Sequence, residues 1–363
     1  MKGDVSFHTD LAEREISARG QRMPLPVWLV LSGNLVMGGS LWLIAAGGMA
    51  AKLILLGFWI AILCCYARPV RLAPGVLAGS LVLAGLIGVI AAGNGAYIEK
   101  LRLIGNLLIL PVGLLAGVMI GRSCLRVMIP VFALYLLLSS SFQMTHEGLR
   151  LNQPFLFLGG FALCSVVRGP GRWGLSGASA VAILLSQTRI AVLAMVVNLI
   201  GMVRLTSAMT WLVGSVAIGI AGWVGVYYLP RLFLTHGSGR LAFWQDFWDL
   251  WQNGSVWQKW LGFGAGSVEE ILSGYQSFAS FGALHNDHFR MLFETGMAGI
   301  LLWVTGWGVM IWAVRHVRLA VCILVSVMLT MVTDNTLNYG HYLICCGMAA
   351  GIAAQEEEGS DHG

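Results

Sequence analysis

The sequence predicts an all-α polytopic membrane protein of about twelve transmembrane helices, with one long extracytoplasmic loop that carries short amphipathic helices. Three observations predict it. Of the 363 residues, 57% are hydrophobic and only 11% charged, with a mean hydropathy of +0.78, which leaves too little polar surface for a water-soluble fold. Apolar runs of near membrane-crossing length follow one another along most of the chain. Nine arginines in or beside the short connections fall on one side of the topology those runs imply.

Taken in order, residues 1–25 are a polar tail with Lys2, Arg14, Arg19 and Arg22. It is too polar and too long before Pro24 to begin a cleaved signal peptide, so the first helix is expected to stay in place. Residues 26–228 hold nine apolar runs, at 26–46, 51–67, 72–92, 101–121, 124–141, 154–167, 173–187, 189–203 and 209–228. The sixth and seventh are short and Gly-interrupted, which fits either broken helices around a cavity or the ordinary abundance of Gly in membrane helices. Residues 229–286 form the long loop, and 287–354 hold three more runs, at 289–313, 317–333 and 338–354. Residues 355–363, with Glu356, Glu357 and Glu358, form an acidic solvated tail.

Arg68, Arg71, Arg122, Arg126, Arg168, Arg172, Arg204, Arg315 and Arg318 share a side with the amino-terminal tail. The positive-inside rule then makes both termini cytoplasmic and the 229–286 loop external. A loop of that length in a compact protein is usually functional.

Several functions are excluded on composition. The seven cysteines lie within or at the ends of apolar runs, with no disulfide or tetrahedral-metal spacing, and read as small packing residues. The net charge of +5 is spread along the chain rather than gathered in a block, so nucleic acid is not an expected partner. Gly262-Phe263-Gly264-Ala265-Gly266 has no βαβ surroundings and reads as a flexible turn, not a nucleotide loop. Asp246, Asp249, Glu269 and Glu270 make no compact set of three ligands, so neither metal nor other cofactor is expected.

Within the loop, Phe243, Trp244, Phe247, Trp248 and Trp251 recur at i, i+4 and i+7, with Gln245, Asp246, Asp249 and Gln252 between them. This amphipathic helix suits a lipid interface, and equally suits packing of its aromatic face on neighbouring helices; the two are compatible. The most informative segment follows it. Leu284-His285-Asn286-Asp287-His288-Phe289-Arg290 runs directly into the apolar stretch Met291–Trp312. Holding two histidines, an aspartate and an arginine at the mouth of a membrane helix is costly, and marks a candidate active site facing one side of the membrane.

Four stretches in the carboxyl-terminal half carry a resemblance. Ser238-Gly239-Arg240-Leu241-Ala242-Phe243-Trp244, Trp260-Leu261-Gly262-Phe263-Gly264-Ala265-Gly266-Ser267, His285-Asn286-Asp287-His288-Phe289 and Glu294-Thr295-Gly296-Met297-Ala298-Gly299 together resemble the O-antigen ligase/polymerase family. Ser186-Gln187-Thr188-Arg189 resembles that family's serine/arginine motif, departing from it at Gln187-Thr188. The amino-terminal half agrees only in helix number and hydropathy. The resemblance implies a glycosyltransferase whose donor is a glycan on undecaprenyl pyrophosphate at the outer face of the bacterial inner membrane. Its acceptor would be lipid A-core for a ligase, or a second lipid-linked repeat unit for a polymerase of O-antigen or exopolysaccharide. The compact loop leaves the acceptor open.

The chemistry suits these residues. Displacing a lipid pyrophosphate from the anomeric carbon builds negative charge, which guanidinium groups neutralise with paired hydrogen bonds; Arg189 and Arg240 are the candidates. The alternatives are a snorkelling Arg189 and an Arg240 that anchors ordinary phospholipid. The attacking hydroxyl needs a base, and His285 is the candidate, against a plain role capping the helix or bonding a loop carbonyl. His288, Asp287, Arg290 and Trp244 are candidate substrate-binding residues; Asp287 is equally an ordinary helix cap, and Arg290 is placed to pair with Glu294 at i, i+4. Two other polar groups, Asp334-Asn335-Asn338-His341 and His146-Glu147-Arg150, either line a sugar cavity or are merely polar turns. A transporter or lipid-linked-glycan flippase is the competing class. Against it, no internal repeat is visible and the charges gather at the outer interface rather than the midplane.

Overall fold

The structure is a computed structural model that describes residues 25–44, 48–66, 74–138, 142–145, 148–151, 153–169, 171–203, 240–274 and 283–360. Among these residues the fold is helical apart from one short hairpin. In chain order the helices are α1 (Val27–Ile44), α2 (Met49–Tyr66), α3 (Pro74–Ala92), α4 (Tyr97–Ile120), α5 (Ser123–Leu138), α6 (Pro154–Ser165), α7 (Gly171–Leu185) and α8 (Arg189–Met202). They continue as α9 (Arg240–Asn253), α10 (Val256–Leu261), α11 (Ser267–Gly274), α12 (Asp287–Ala313), α13 (Arg318–Met331) and α14 (Gly340–Ser360), with a 3-10 turn at Thr336–Asn338. The apolar run at 209–228 lies outside the described residues.

Among the described residues, four helices are long and apolar enough to cross a membrane: Met49–Tyr66, Gly75–Ala92, Tyr97–Ile120 and Asp287–Ala313. Shorter apolar helices accompany them, among them Pro154–Ser165, Arg189–Met202 and Arg318–Met331. Large apolar side chains such as Leu35, Leu81, Leu301 and Val304 project outward from the bundle. Faces of that kind suit hydrocarbon better than water, where helices with their backbone bonds satisfied internally are the stable form.

The centre of the bundle is α14, which is buried on every side from Tyr342 to Ile352. It packs against α4 through glycines on both helices. A Cβ at Gly113 would sit 2.5 Å from the Ile344 carbonyl oxygen, and one at Gly347 2.4 Å from that of Leu110. Gly117 and Gly351 repeat the contact four residues on. Glycines at that spacing let two backbones touch, the close approach by which membrane helices associate without a hydrophobic drive. The helices run parallel, so Arg122, just past α4, lies at the end of the bundle away from Gly340.

Two local features depart from expectation. The connection after α5 is an antiparallel hairpin, Phe142–Thr145 paired with Gly148–Leu151 in the register Phe142↔Leu151. Phe-Gln-Met-Thr and Leu-Arg-Leu alternate with period two, a signal too short to stand out beside the apolar runs. The last helix does not stop at 354 but continues to Ser360, into the stretch expected to be a tail.

Helix α12 is kinked at Gly296 (φ 66°, ψ −166°). The carbonyls freed by the kink are taken by the loop: Phe263 N–H donates to Phe293 O at 2.9 Å and Gly264 N–H to Glu294 O at 3.1 Å. A Cβ at Gly262 would fall 2.2 Å from Glu294 O. The glycine-rich stretch is therefore a backbone clasp that seats the loop on α12, not the flexible turn its composition suggested.

Candidate functional site

Three short turns build the site. The first precedes α8. Gln187 adopts a left-handed conformation (φ 56°), uncommon outside glycine. Ser186 Oγ stabilises it by accepting the Thr188 N–H at 3.3 Å, while Thr188 Oγ1 donates to the Ser186 carbonyl at 3.2 Å. This turn delivers Arg189 as the first residue of its helix, with its side chain exposed.

The second turn carries the histidine segment. His285 is also left-handed (φ 54°), and its N–H donates to Asn335 Oδ1 at 2.9 Å. Asn286 caps α12 by accepting the Phe289 N–H at 2.9 Å. Asp287 is fully buried and accepts the Leu337 N–H at 2.8 Å, which ties the start of α12 to the third turn, 334–339. There Asp334 Oδ1 accepts from Asn335 N–H at 2.8 Å and from the Tyr339 hydroxyl at 3.1 Å, and lies 3.8 Å from His285 Nδ1. Burial, reinforced by the Asp334 carboxylate, raises the Tyr339 phenol above its ordinary range, so it remains a donor at neutral pH.

The first and third of these turns line a cleft of about 910 Å³. Its lining comes from the amino-terminal ends of α2, α6, α8 and α14 together with the 333–339 turn. Lys52 and Arg189 supply two cations, while Gln153, Gln187, Asn338 and Tyr339 supply amides and a phenol. Tyr339 stacks on Phe155, with ring centroids 4.8 Å apart and an interplanar angle of 15°. Lys52 is braced by Asn106, which accepts from Nζ at 2.8 Å and donates to Asn338 Oδ1 at 3.3 Å. Helix amino termini carry partial positive charge and free N–H groups, so four of them around two cations favour an anion.

The candidate residues divide accordingly. Arg189 lines the cleft; His285 is not among its lining residues, but its Nδ1 lies 3.8 Å from Oδ1 of Asp334, which is. Arg240 begins α9, and its side chain lies outside the described residues, as do those of His146, Glu147 and Arg150. Trp244 does not line the cleft: its indole N–H donates to the Leu284 carbonyl at 2.7 Å, holding the backbone just before His285. Phe243 and Phe247 bury against Leu284 and Phe293, while Trp248 projects outward, so α9 both packs and presents an aromatic ring at the surface.

His288 uses both ring nitrogens. Trp303 Nε1–H donates to its Nδ1 at 3.0 Å, which leaves Nε2 to donate to the Met328 carbonyl at 3.2 Å. Arg290 is buried between Glu294 (3.2 Å) and Glu269 of α11 (2.8 Å). Asp287, His288 and Arg290 therefore serve the scaffold and are not part of the cleft lining.

The sequence reading overlooked Lys52, a single cation one turn inside an apolar helix and the available signal of an inward-facing group. It also passed over Asn106, which is buried in the middle of α4. Among the described residues no group of three or more His, Cys, Asp or Glu is placed to hold a metal ion. The chain matches no known protein-family model, and a search of curated proteins finds no significant match.

Proposed function

We propose that this protein is a polyprenyl-pyrophosphate-dependent glycosyltransferase of the O-antigen ligase/polymerase kind, with about twelve membrane spans, cytoplasmic termini and its cleft on the periplasmic face of a bacterial inner membrane. The observation that supports this reading is the cleft itself, where Arg189 and Lys52 meet four helix amino termini beside the His285–Asp334 pair. A dianionic leaving group suits the cationic end. Amides and the open ring of Tyr339 suit a sugar, which is polar at its edge and apolar on its faces.

In the proposed reaction an acceptor hydroxyl oxygen forms the new bond to the anomeric carbon as the bond from that carbon to the pyrophosphate oxygen breaks. The electron pair leaves on the pyrophosphate oxygen, where Arg189 and Lys52 stabilise the added negative charge, and His285 takes the hydroxyl proton. Asp334, 3.8 Å from the ring, stabilises the imidazolium that results. Arg240 remains a second candidate for the pyrophosphate.

The test is transfer of a radiolabelled glycan from undecaprenyl pyrophosphate by the purified protein, offered lipid A-core or a second lipid-linked unit. Label on lipid A-core identifies a ligase, and a lengthened lipid-linked product a polymerase. Movement of the donor between liposome leaflets without covalent transfer would identify a flippase and overturn the reading.

A further inference from the structure

His341 lies on the first turn of α14 and lines the cleft, yet is only 3% exposed. Its Nε2 is 2.8 Å from Ser40 Oγ, and the Ser40 hydroxyl donates to the Met37 carbonyl at 2.9 Å. A hydroxyl has one proton. With that proton on Met37 O, Nε2 must be the donor to Ser40, and a neutral ring then carries its lone pair on Nδ1. Nδ1 is buried without a hydrogen-bond partner. A buried acceptor left unpaired is costly and rare in folded proteins, so the position asks for a donor from whatever fills the cleft.

The reading under Proposed function, on which this inference rests, supplies a molecule with three parts. A polyprenyl chain has no polar hydrogen, and a pyrophosphate diester-like group at neutral pH has only acceptor oxygens. The sugar alone carries hydroxyl donors. We propose that His341 is a specificity residue for the donor sugar, its Nδ1 accepting a hydrogen bond from a ring hydroxyl of the residue joined to the pyrophosphate. The stacked Tyr339 and Phe155 rings on the same lining offer that sugar an apolar face. His341 thus touches substrate without taking part in proton transfer, which stays with His285.

The experiment measures equilibrium binding to the full-length protein in nanodiscs of two radiolabelled probes, undecaprenyl pyrophosphate alone and the same lipid carrying glucose or galactose. Two variants separate the ring nitrogens. His341→Gln places an amide where Nε2 was, retaining the Ser40 contact but leaving nothing at Nδ1; His341→Asn places its amide near Nδ1.

Wild type is expected to prefer at least one sugar-bearing lipid by roughly tenfold, the worth of one well-made hydrogen bond in a buried site. His341→Gln is expected to abolish that preference while still binding the plain lipid, which also reports a correctly folded cleft. His341→Asn restores part of it. Preference retained in His341→Gln, or absent in wild type, overturns the assignment while leaving the proposed function intact. Failure of wild type to bind either lipid removes the proposed function and this inference together.

Discussion

Asp287 and Leu337, fifty residues apart in the chain, are joined by a hydrogen bond of 2.8 Å from the Leu337 N–H to a fully buried carboxylate oxygen. The bond fixes the start of α12 to the 334–339 turn, and so holds His285 beside Asp334. Asp287→Ala should leave a buried N–H unpaired and destabilise the protein by about 1–3 kcal/mol, with a larger loss of transfer because the two turns separate. Asp287→Asn keeps an acceptor oxygen and should recover most of both. Thermal unfolding in detergent, run alongside transfer assays, checks this; equal loss in the two variants would mean that the charge, not the tether, is what matters.

His285 combines chemistry with an unusual backbone, and the two can be separated. His285→Ala should lower turnover by roughly 10²- to 10⁴-fold, the usual range for a lost general base. His285→Gly should be equally inactive but at least as stable as wild type, since glycine tolerates φ 54° without a side-chain clash. Turnover and melting temperature measured on both variants decide the matter, and near-wild-type turnover in either would remove His285 from the mechanism.

How much of this was legible beforehand depends on the range of the interaction. The helices follow from apolar runs, which local composition dictates, and the histidine segment stood out because charge at a membrane helix end is costly. The division of labour inside that segment was not legible. His288 looks as reactive as His285 on paper; only the fold brings Trp303 and the Met328 carbonyl to its two nitrogens. Lys52, Asn106 and Asn338 form their chain across 54 and 232 residues of sequence, a contact that no periodicity encodes. The glycine stretch misled for a related reason: Gly262 answers to Glu294 and Thr295, Gly264 to Asn94 and Gly266 to Glu99, contacts across the fold rather than a turn of their own.

Arg189 and Lys52 should fail differently. The guanidinium offers a planar fork that an ammonium cannot copy, so Arg189→Lys should lose at least tenfold in transfer efficiency despite its retained charge. Lys52 is a point charge braced by Asn106, so Lys52→Met should raise the donor KM, with Lys52→Arg partly active. Steady-state kinetics on the three variants checks this. Full activity in both Arg189→Lys and Lys52→Met would remove the pyrophosphate from this end of the cleft.

The clasp between the glycine stretch and α12 predicts a steric outcome. Gly262 has φ 83°, and a Cβ there would meet the Glu294 carbonyl at 2.2 Å. Backbone atoms cannot swing aside as a flexible side chain does, so Gly262→Ala should undock the loop from α12. Limited proteolysis should then cut near 255–266 in the variant but not in wild type, with transfer falling as His285 loses its support. An intact, active Gly262→Ala protein would show that the loop reaches α12 by other contacts.

The buried Arg290 lies between Glu294 and Glu269, and the three side chains bridge α12 and α11. Removing one member of such a group costs more than removing an ion pair together, because the charge left behind has neither water nor partner. Arg290→Met should therefore destabilise by about 3–5 kcal/mol, leaving Glu294 buried and unpaired. In Arg290→Met/Glu294→Leu, apolar side chains replace both charges, and much of the loss should return. Transfer should follow stability in this series, since neither residue lines the cleft. A double variant restored in melting temperature but still inactive would show instead that the triad sets the position of His285, five residues before Arg290, and acts on the chemistry through it.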